Sequence, residues 1–383
     1  MNTSSAVIEN KSNRSKRIHS IDLLRIIAMF FIVINHYLSH GVALMGFDFK
    51  QPFVYYDWYV RGVCYMGTNL FILITAFFIS QSHFKIKHVL SLACQVWFYS
   101  IVLFLVSNWT GLSSFSLSSL FKSLAPIVSS QYWFITCYIA LYFLAPFFNR
   151  LVATISRDGF HLLLVILFVC FSVIPSFFFF SPWVNWGGSS GIVWFVVLYF
   201  TGAYIRKYID RESLKRKRKH IIIWTILFSL LPLISKIIIA LFTNIALGHV
   251  VGSSLFYVKN SVILYPLSIC FFLLFMTFDI KSGLIVKVIA FISTGIFAVY
   301  LITENANLRD WIWSSMTQII DRNSVFYPVI ELSVIAMLFL ACVLIDKIRK
   351  ILFELVPKTG IPNRIVSFLS PVIDTKYTAI SDD

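Results

Sequence analysis

Four ionisable side chains interrupt the first apolar run of the chain: Asp22, Arg25, His36 and His40. With Met29 between them, they fall within about 60° of one another on a helix turning 100° per residue. Asp22 and Arg25 are three residues apart, the spacing at which opposite charges pair along a helix. His36 stands eleven residues beyond Arg25, roughly 16 Å along the axis. Histidine is the side chain best suited to moving a proton near neutral pH, so His36 is a candidate general base. Arg25 and its partner Asp22 are further candidate functional residues on this face. The competing reading of His36 is a structural histidine bonded to a neighbouring helix.

Such a stripe needs elements that keep it away from lipid, because ionisable groups at membrane depth cost several kcal/mol. The rest of the chain supplies an apolar scaffold. Of its 383 residues 58% are hydrophobic and only 13% charged, against roughly 25% charged in soluble domains. The 39 phenylalanines are too many to hide in one water-soluble core. A helix crossing a bilayer takes about 20 apolar residues. Ten runs approach that length, near 21–40, 62–80, 89–108, 132–149, 160–181, 191–206, 220–242, 260–278, 288–303 and 326–346. The expected fold class is all-α, a polytopic integral membrane protein with about ten transmembrane helices.

Lysines and arginines between the runs set the expected orientation. Alternate segments starting from the N-terminus hold 25 of the 32, the intervening segments hold six, and Lys236 lies within a run. Both termini are therefore expected in the cytoplasm. The divisions are a cytoplasmic N-terminal segment 1–19, a membrane domain 20–346 and a cytoplasmic tail 347–383. The N-terminal segment has no small-residue cleavage site, which favours a retained first helix. The formal charge of +15 is spent on orientation, so nucleic-acid binding is not expected. Lys215 to Lys219 is read as a solvated stop between helices. The six cysteines all lie in apolar segments without metal-ligand spacing, and no metal is expected.

An acidic residue, Leu23-Leu24-Arg25, an apolar run and His36 resemble the opening of the acyltransferase-3 superfamily. The likeness continues through Asn69 to Phe78, through Gln131-Tyr132-Trp133-Phe134 to Pro146, and through Trp194 to Arg206. It extends to Asn260-Ser261, Gly295 to Asn305, Leu308-Arg309 and Trp311, covering roughly residues 20–345. These last stretches are similar to the polysaccharide-modifying branch. The chain departs from the pattern at Thr75-Ala76-Phe77, at Thr303, and in the loop with Lys85, Lys87 and His88, which is Arg-rich in many members.

The resemblance implies transfer of an acyl group, acetyl above all, from acyl-CoA to a hydroxyl of a cell-surface polysaccharide or its lipid-linked precursor. It implies a membrane enzyme, an O-acetyltransferase of the cytoplasmic membrane of a bacterium. His36 would act as general base or be acylated itself, and both routes stay open. Lys85 and Lys87 are the candidate donor ligands. Asn69, Trp133, Tyr138, Glu304 and Arg309 are candidates on the acceptor side. A transporter or flippase of a lipid-linked sugar is one rival, since it too needs an interior charged stripe. An envelope polysaccharide polymerase is the other, and the short outer loops speak against it.

Overall fold

The computed structural model describes residues 18–42, 53–129, 131–178, 188, 190–250, 252–354, 371 and 374. These residues contain no strand. The chain opens with α1 (His19–His36), which continues as a π-helical turn (Tyr37–Gly41), then α2 (Val54–Cys64), α3 (Gly67–Ile79) and α4 (Ile86–Trp109). There follow α5 (Leu117–Leu124), α6 (Trp133–Thr154), α7 (Arg157–Phe168), α8 (Ile174–Phe177), α9 (Ile192–Tyr208) and α10 (Arg211–Arg216). The last are α11 (Arg218–Leu247), α12 (Leu264–Met276), α13 (Gly283–Ser293), α14 (Ile296–Thr303), α15 (Arg309–Ile319) and α16 (Tyr327–Glu354).

In hydrocarbon every backbone N–H and C=O must find its partner inside the segment, which is why these apolar runs are helices. Among the described residues eight helical stretches are long and apolar enough to cross a membrane. The other two runs form α9, of 17 residues, and α12, of 13. The protein is thus an all-α polytopic membrane protein.

Several boundaries differ from the sequence reading, and the ninth stretch starts at Gly283 rather than at 288, which puts Lys287 within a helix. The second stretch starts at Val54 rather than at 62, so Arg61 lies within a helix and not in a loop. Asp57 breaks the apolar pattern there, but it accepts hydrogen bonds from Tyr327 at 2.7 Å and Arg322 at 2.5 Å, and the helix runs on across the charge. The last helix continues to Glu354, past the boundary drawn at 346. Apart from these few residues, 371 and 374, and 18–19 at the start, the two terminal segments lie outside the described residues.

Helices α1 and α3 form the centre. A Cβ on Gly67 would come within 2.7 Å of the Ala28 carbonyl oxygen, and one on Gly202 within 2.8 Å of that of Leu73. Glycine at these two positions lets α3 lie directly against α1 on one side and α9 on the other, the small-residue contact by which membrane helices approach closely. The outer helices expose their apolar side chains instead, including Leu162 and Val165 on α7 and Ile238 and Phe242 on α11. Lys236, in the middle of α11, turns inward. Its Nζ lies 3.1 Å from Ser254 Oγ and over the rings of Trp58 and Tyr257.

Candidate active site

The stripe on α1 borders two cavities, one at each end of the helix. The cavity near the N-terminal end has a volume of about 460 Å³ and is lined by Arg25, Thr75, His88, Gln95, Tyr138 and Tyr142, with apolar neighbours. The cavity near the C-terminal end, of about 210 Å³, is lined by Asn35, His36, Ser39, His40, Thr68, Trp133, Lys259, Tyr300 and Glu304, again among apolar residues. One helix therefore presents an arginine to the first space and two histidines to the second.

In the first cavity Arg25 Nη1 lies 3.5 Å from Asp22 Oδ1, the expected pair. Its guanidinium also lies 6.0 Å from the ring centre of Phe78. Tyr138 lines this cavity with Arg25, whereas Trp133 lines the other. Lys85 and Lys87 are exposed at the start of α4 and do not line the space; His88, one position further, does. His88 Nδ1 is 3.2 Å from the Tyr142 hydroxyl. Beside the lysines the Ile86 N–H donates to the Asp374 carboxylate at 2.8 Å, so the N-terminus of α4 already meets an anionic group.

In the second cavity Glu304 Oε2 lies 3.3 Å from His36 Nε2 and 3.6 Å from His40 Nε2. The π-helical turn begins directly after His36. Such local widening is frequent at functional sites, and here it carries both imidazoles to one carboxylate. The His36 ring is flanked by Tyr300 and Trp313, with centroids 6.2 and 6.3 Å away. Its Nδ1 is buried and has no hydrogen-bond partner among the described residues.

The connection that carries Glu304 is pinned. Asn305 donates to the Tyr132 hydroxyl at 2.8 Å, and that hydroxyl donates to the Leu301 carbonyl at 3.1 Å. Arg309 Nη1 reaches Glu304 Oε1 at 3.4 Å. Arg309 is thus a partner of Glu304 and does not line the cavity. Burial pushes the Glu304 carboxyl up, but His36, His40 and Arg309 outweigh it and hold the group below its ordinary value.

Lys259 is the cation of this cavity. Its Nζ sits 4.3 Å from the ring centre of Trp133 and 2.8 Å from Ser190 Oγ. One face of Trp133 is therefore taken by the lysine. Burial pulls the ammonium down to about 8, with Glu304 and Cys137 acting against it.

Asn69 has a different place from the one its polarity suggests. It is fully buried and absent from both linings. It donates to the Lys259 carbonyl at 2.7 Å and to Ser268 Oγ at 3.1 Å, and it accepts from Trp194 Nε1 at 2.9 Å. Both of its donors and one acceptor lone pair are spent on joining α3, α9 and α12. Asn69 positions Lys259 and does not touch the cavity.

Sequence reasoning missed Lys259, Asn35, Ser39, Thr68 and Tyr300. Asn35 and Ser39 flank His36 on its own helix and bond each other at 3.1 Å, so polarity next to a candidate base was a usable signal. Among the described residues no group of three or more His, Cys, Asp or Glu is placed to hold a metal ion.

The first helix of this all-α membrane protein thus presents Arg25 to one cavity and His36, beside Glu304 from the end of α14, to another. Residues 18–355 match the acyltransferase-3 family, described as an acyltransferase domain, and the chain belongs to that family. It is a membrane acyltransferase. No curated protein and no solved structure matches the chain.

Proposed function

We propose that the protein moves an acyl group, acetyl in the first instance, from cytosolic acyl-CoA to a hydroxyl of a cell-surface polysaccharide or its lipid-linked precursor. One observation carries this reading: His36 and Glu304 face each other at 3.3 Å on the wall of an internal cavity, and His36 Nδ1 has no partner among the described residues. The Glu304 carboxylate, 3.3 Å from Nε2, favours a proton on that nitrogen by its charge and leaves the ring one basic lone pair. His36 is then the base. It takes the proton of the acceptor hydroxyl as the oxygen attacks the thioester carbonyl. The carbon–sulfur bond breaks, an oxygen ester forms, and the proton passes from His36 to the departing thiolate of coenzyme A.

The remaining groups have matching roles. Lys259 supplies positive charge where the carbonyl oxygen becomes negative. Arg25, held by Asp22, takes an anionic or carbonyl group of the donor in the larger cavity. Lys85 and Lys87, exposed near it, meet the donor phosphates through their charge, since the α4 N-terminus already holds the Asp374 carboxylate. Trp133, on the wall of the smaller cavity, offers part of its ring to a sugar. In this reading the Arg25 end of α1 is cytoplasmic, which agrees with the distribution of positive residues, and the enzyme resides in the cytoplasmic membrane of a bacterium.

The test is proton NMR of surface polysaccharide from strains carrying the wild-type gene, a deletion, and His36→Ala at equal expression. The expected result is an O-acyl signal in the first strain alone. An unchanged signal in all three would remove the polysaccharide reading, and an altered polymer amount would then point to export or polymerisation.

A further inference from the structure

Three residues line both cavities, and no other residue is common to the two linings: Phe71, Phe134 and Phe297. They come from three different helices, α3, α6 and α14, and together form a partition between the Arg25 space and the His36 space. Phe71 and Phe134 meet edge to face with centroids 6.1 Å apart. Phe134 also packs against Phe195 and Tyr300, with centroids 5.5 and 5.8 Å away. Phe71 and Phe297 are only half-buried, so they have more freedom to change rotamer.

We infer that this aromatic partition is the passage crossed by the donor's acyl thioester, and that its bulk restricts the enzyme to short acyl groups. The inference rests on the proposal that acyl-CoA enters from the Arg25 side. A donor held near Arg25 must bring its carbonyl carbon to His36, eleven residues further along α1, or roughly 16 Å. The three phenylalanines stand across that route. The thioester end leads, so the acyl chain must pass the rings before the carbonyl reaches the base. An acetyl group adds one methyl to the carbonyl and needs only a small opening. A longer chain must also lodge in the smaller cavity, about 210 Å³ in volume, which the acceptor hydroxyl has to share. The same rings separate the His36 space from water on the donor side, which protects the thioester from hydrolysis.

The experiment uses inverted membrane vesicles containing the full chain, with acetyl-, butyryl- and octanoyl-CoA labelled in the acyl group, and measures label recovered in the polysaccharide fraction. The wild type is expected to transfer acetyl and to discriminate strongly against octanoyl. Phe71→Ala, Phe134→Ala and Phe297→Ala are each expected to raise the octanoyl-to-acetyl ratio at least tenfold. Phe297→Trp is expected to lower it further. The ratio is taken within each variant, so reduced assembly cancels. Should an alanine variant fail to assemble, Phe71→Leu and Phe297→Leu carry the same comparison. Acetyl transfer with an unchanged ratio in every variant would overturn the inference, as would a wild type that handles octanoyl as well as acetyl. No transfer from any donor by the wild type would instead defeat the acyl-CoA reading on which it rests.

Discussion

Glu304 Oε2 lies 3.3 Å from His36 Nε2, although 268 residues separate the two along the chain. The contact joins the end of α1 to the connection after α14. It sets a carboxylate beside a histidine that would otherwise be merely unusual for a membrane helix. His36→Ala is expected to lower acyl transfer by about 10²–10⁴-fold, the usual worth of a general base, with insertion and expression unchanged. Glu304→Gln keeps the shape and removes the charge, so it is expected to give a smaller loss. Steady-state rates on matched amounts of folded protein check both, and full activity in His36→Ala would remove it from the mechanism.

Lys259 supplies a pH dependence whose direction can be worked out. Its ammonium is held down to about 8 by burial, so it is charged below that pH and neutral above it. If the positive charge is what assists transfer, the rate falls as pH rises through about 8. Arginine stays protonated throughout this range. Lys259→Arg is therefore expected to retain activity at pH 9, where the wild type has lost most of it. A pH–rate profile with the same alkaline limb in both proteins would assign that limb to another group.

Asn69 is predicted to act through the fold. Asn69→Leu strips partners from Trp194 Nε1 and the Lys259 carbonyl, leaving buried polar groups unmatched. The expected cost is about 1–3 kcal/mol, read as a lower thermal midpoint in detergent together with reduced activity. Trp133→Ala, by contrast, is expected to lower activity at a midpoint close to that of the wild type. Equal midpoints for Asn69→Leu and the wild type would reopen a direct role in the cavity.

Legibility in the sequence followed how local each relationship is. Arg25 and His36 stand out because charge in an apolar run is costly and needs a reason, and the pairing of Asp22 with Arg25 follows from spacing along one helix. The helical runs themselves were legible because hydrocarbon permits little else. Lys259 was not. Its position depends on Asn69, 190 residues away, holding its backbone carbonyl, and no local pattern encodes that. Asn69 looked like a cavity residue for the same reason that Arg25 did, and only its three partners distinguish them. The second helix was read too short because Asp57 and Arg61 interrupt the apolar pattern. The partner that makes Asp57 tolerable, Arg322, lies 265 residues further on.

The two-cavity arrangement makes sense for a cytosolic donor only if the chain is oriented as its positive charges suggest, so topology is itself a prediction. With ten crossings the segment 209–219, which carries Lys215 to Lys219, lies in the cytoplasm, and Lys259 lies on the opposite side. Single cysteines at Lys217 and at Gly252, in a background where the six native cysteines are replaced by serine or alanine, are expected to label from opposite faces with a membrane-impermeant maleimide. Intact cells should modify the Gly252→Cys protein and spare Lys217→Cys, and inverted vesicles should reverse the pattern. Labelling of both from one face would mean that α11 does not cross. The Arg25 and His36 cavities would then lose their assignment to cytosolic donor and outer acceptor, even with the chemistry at His36 intact.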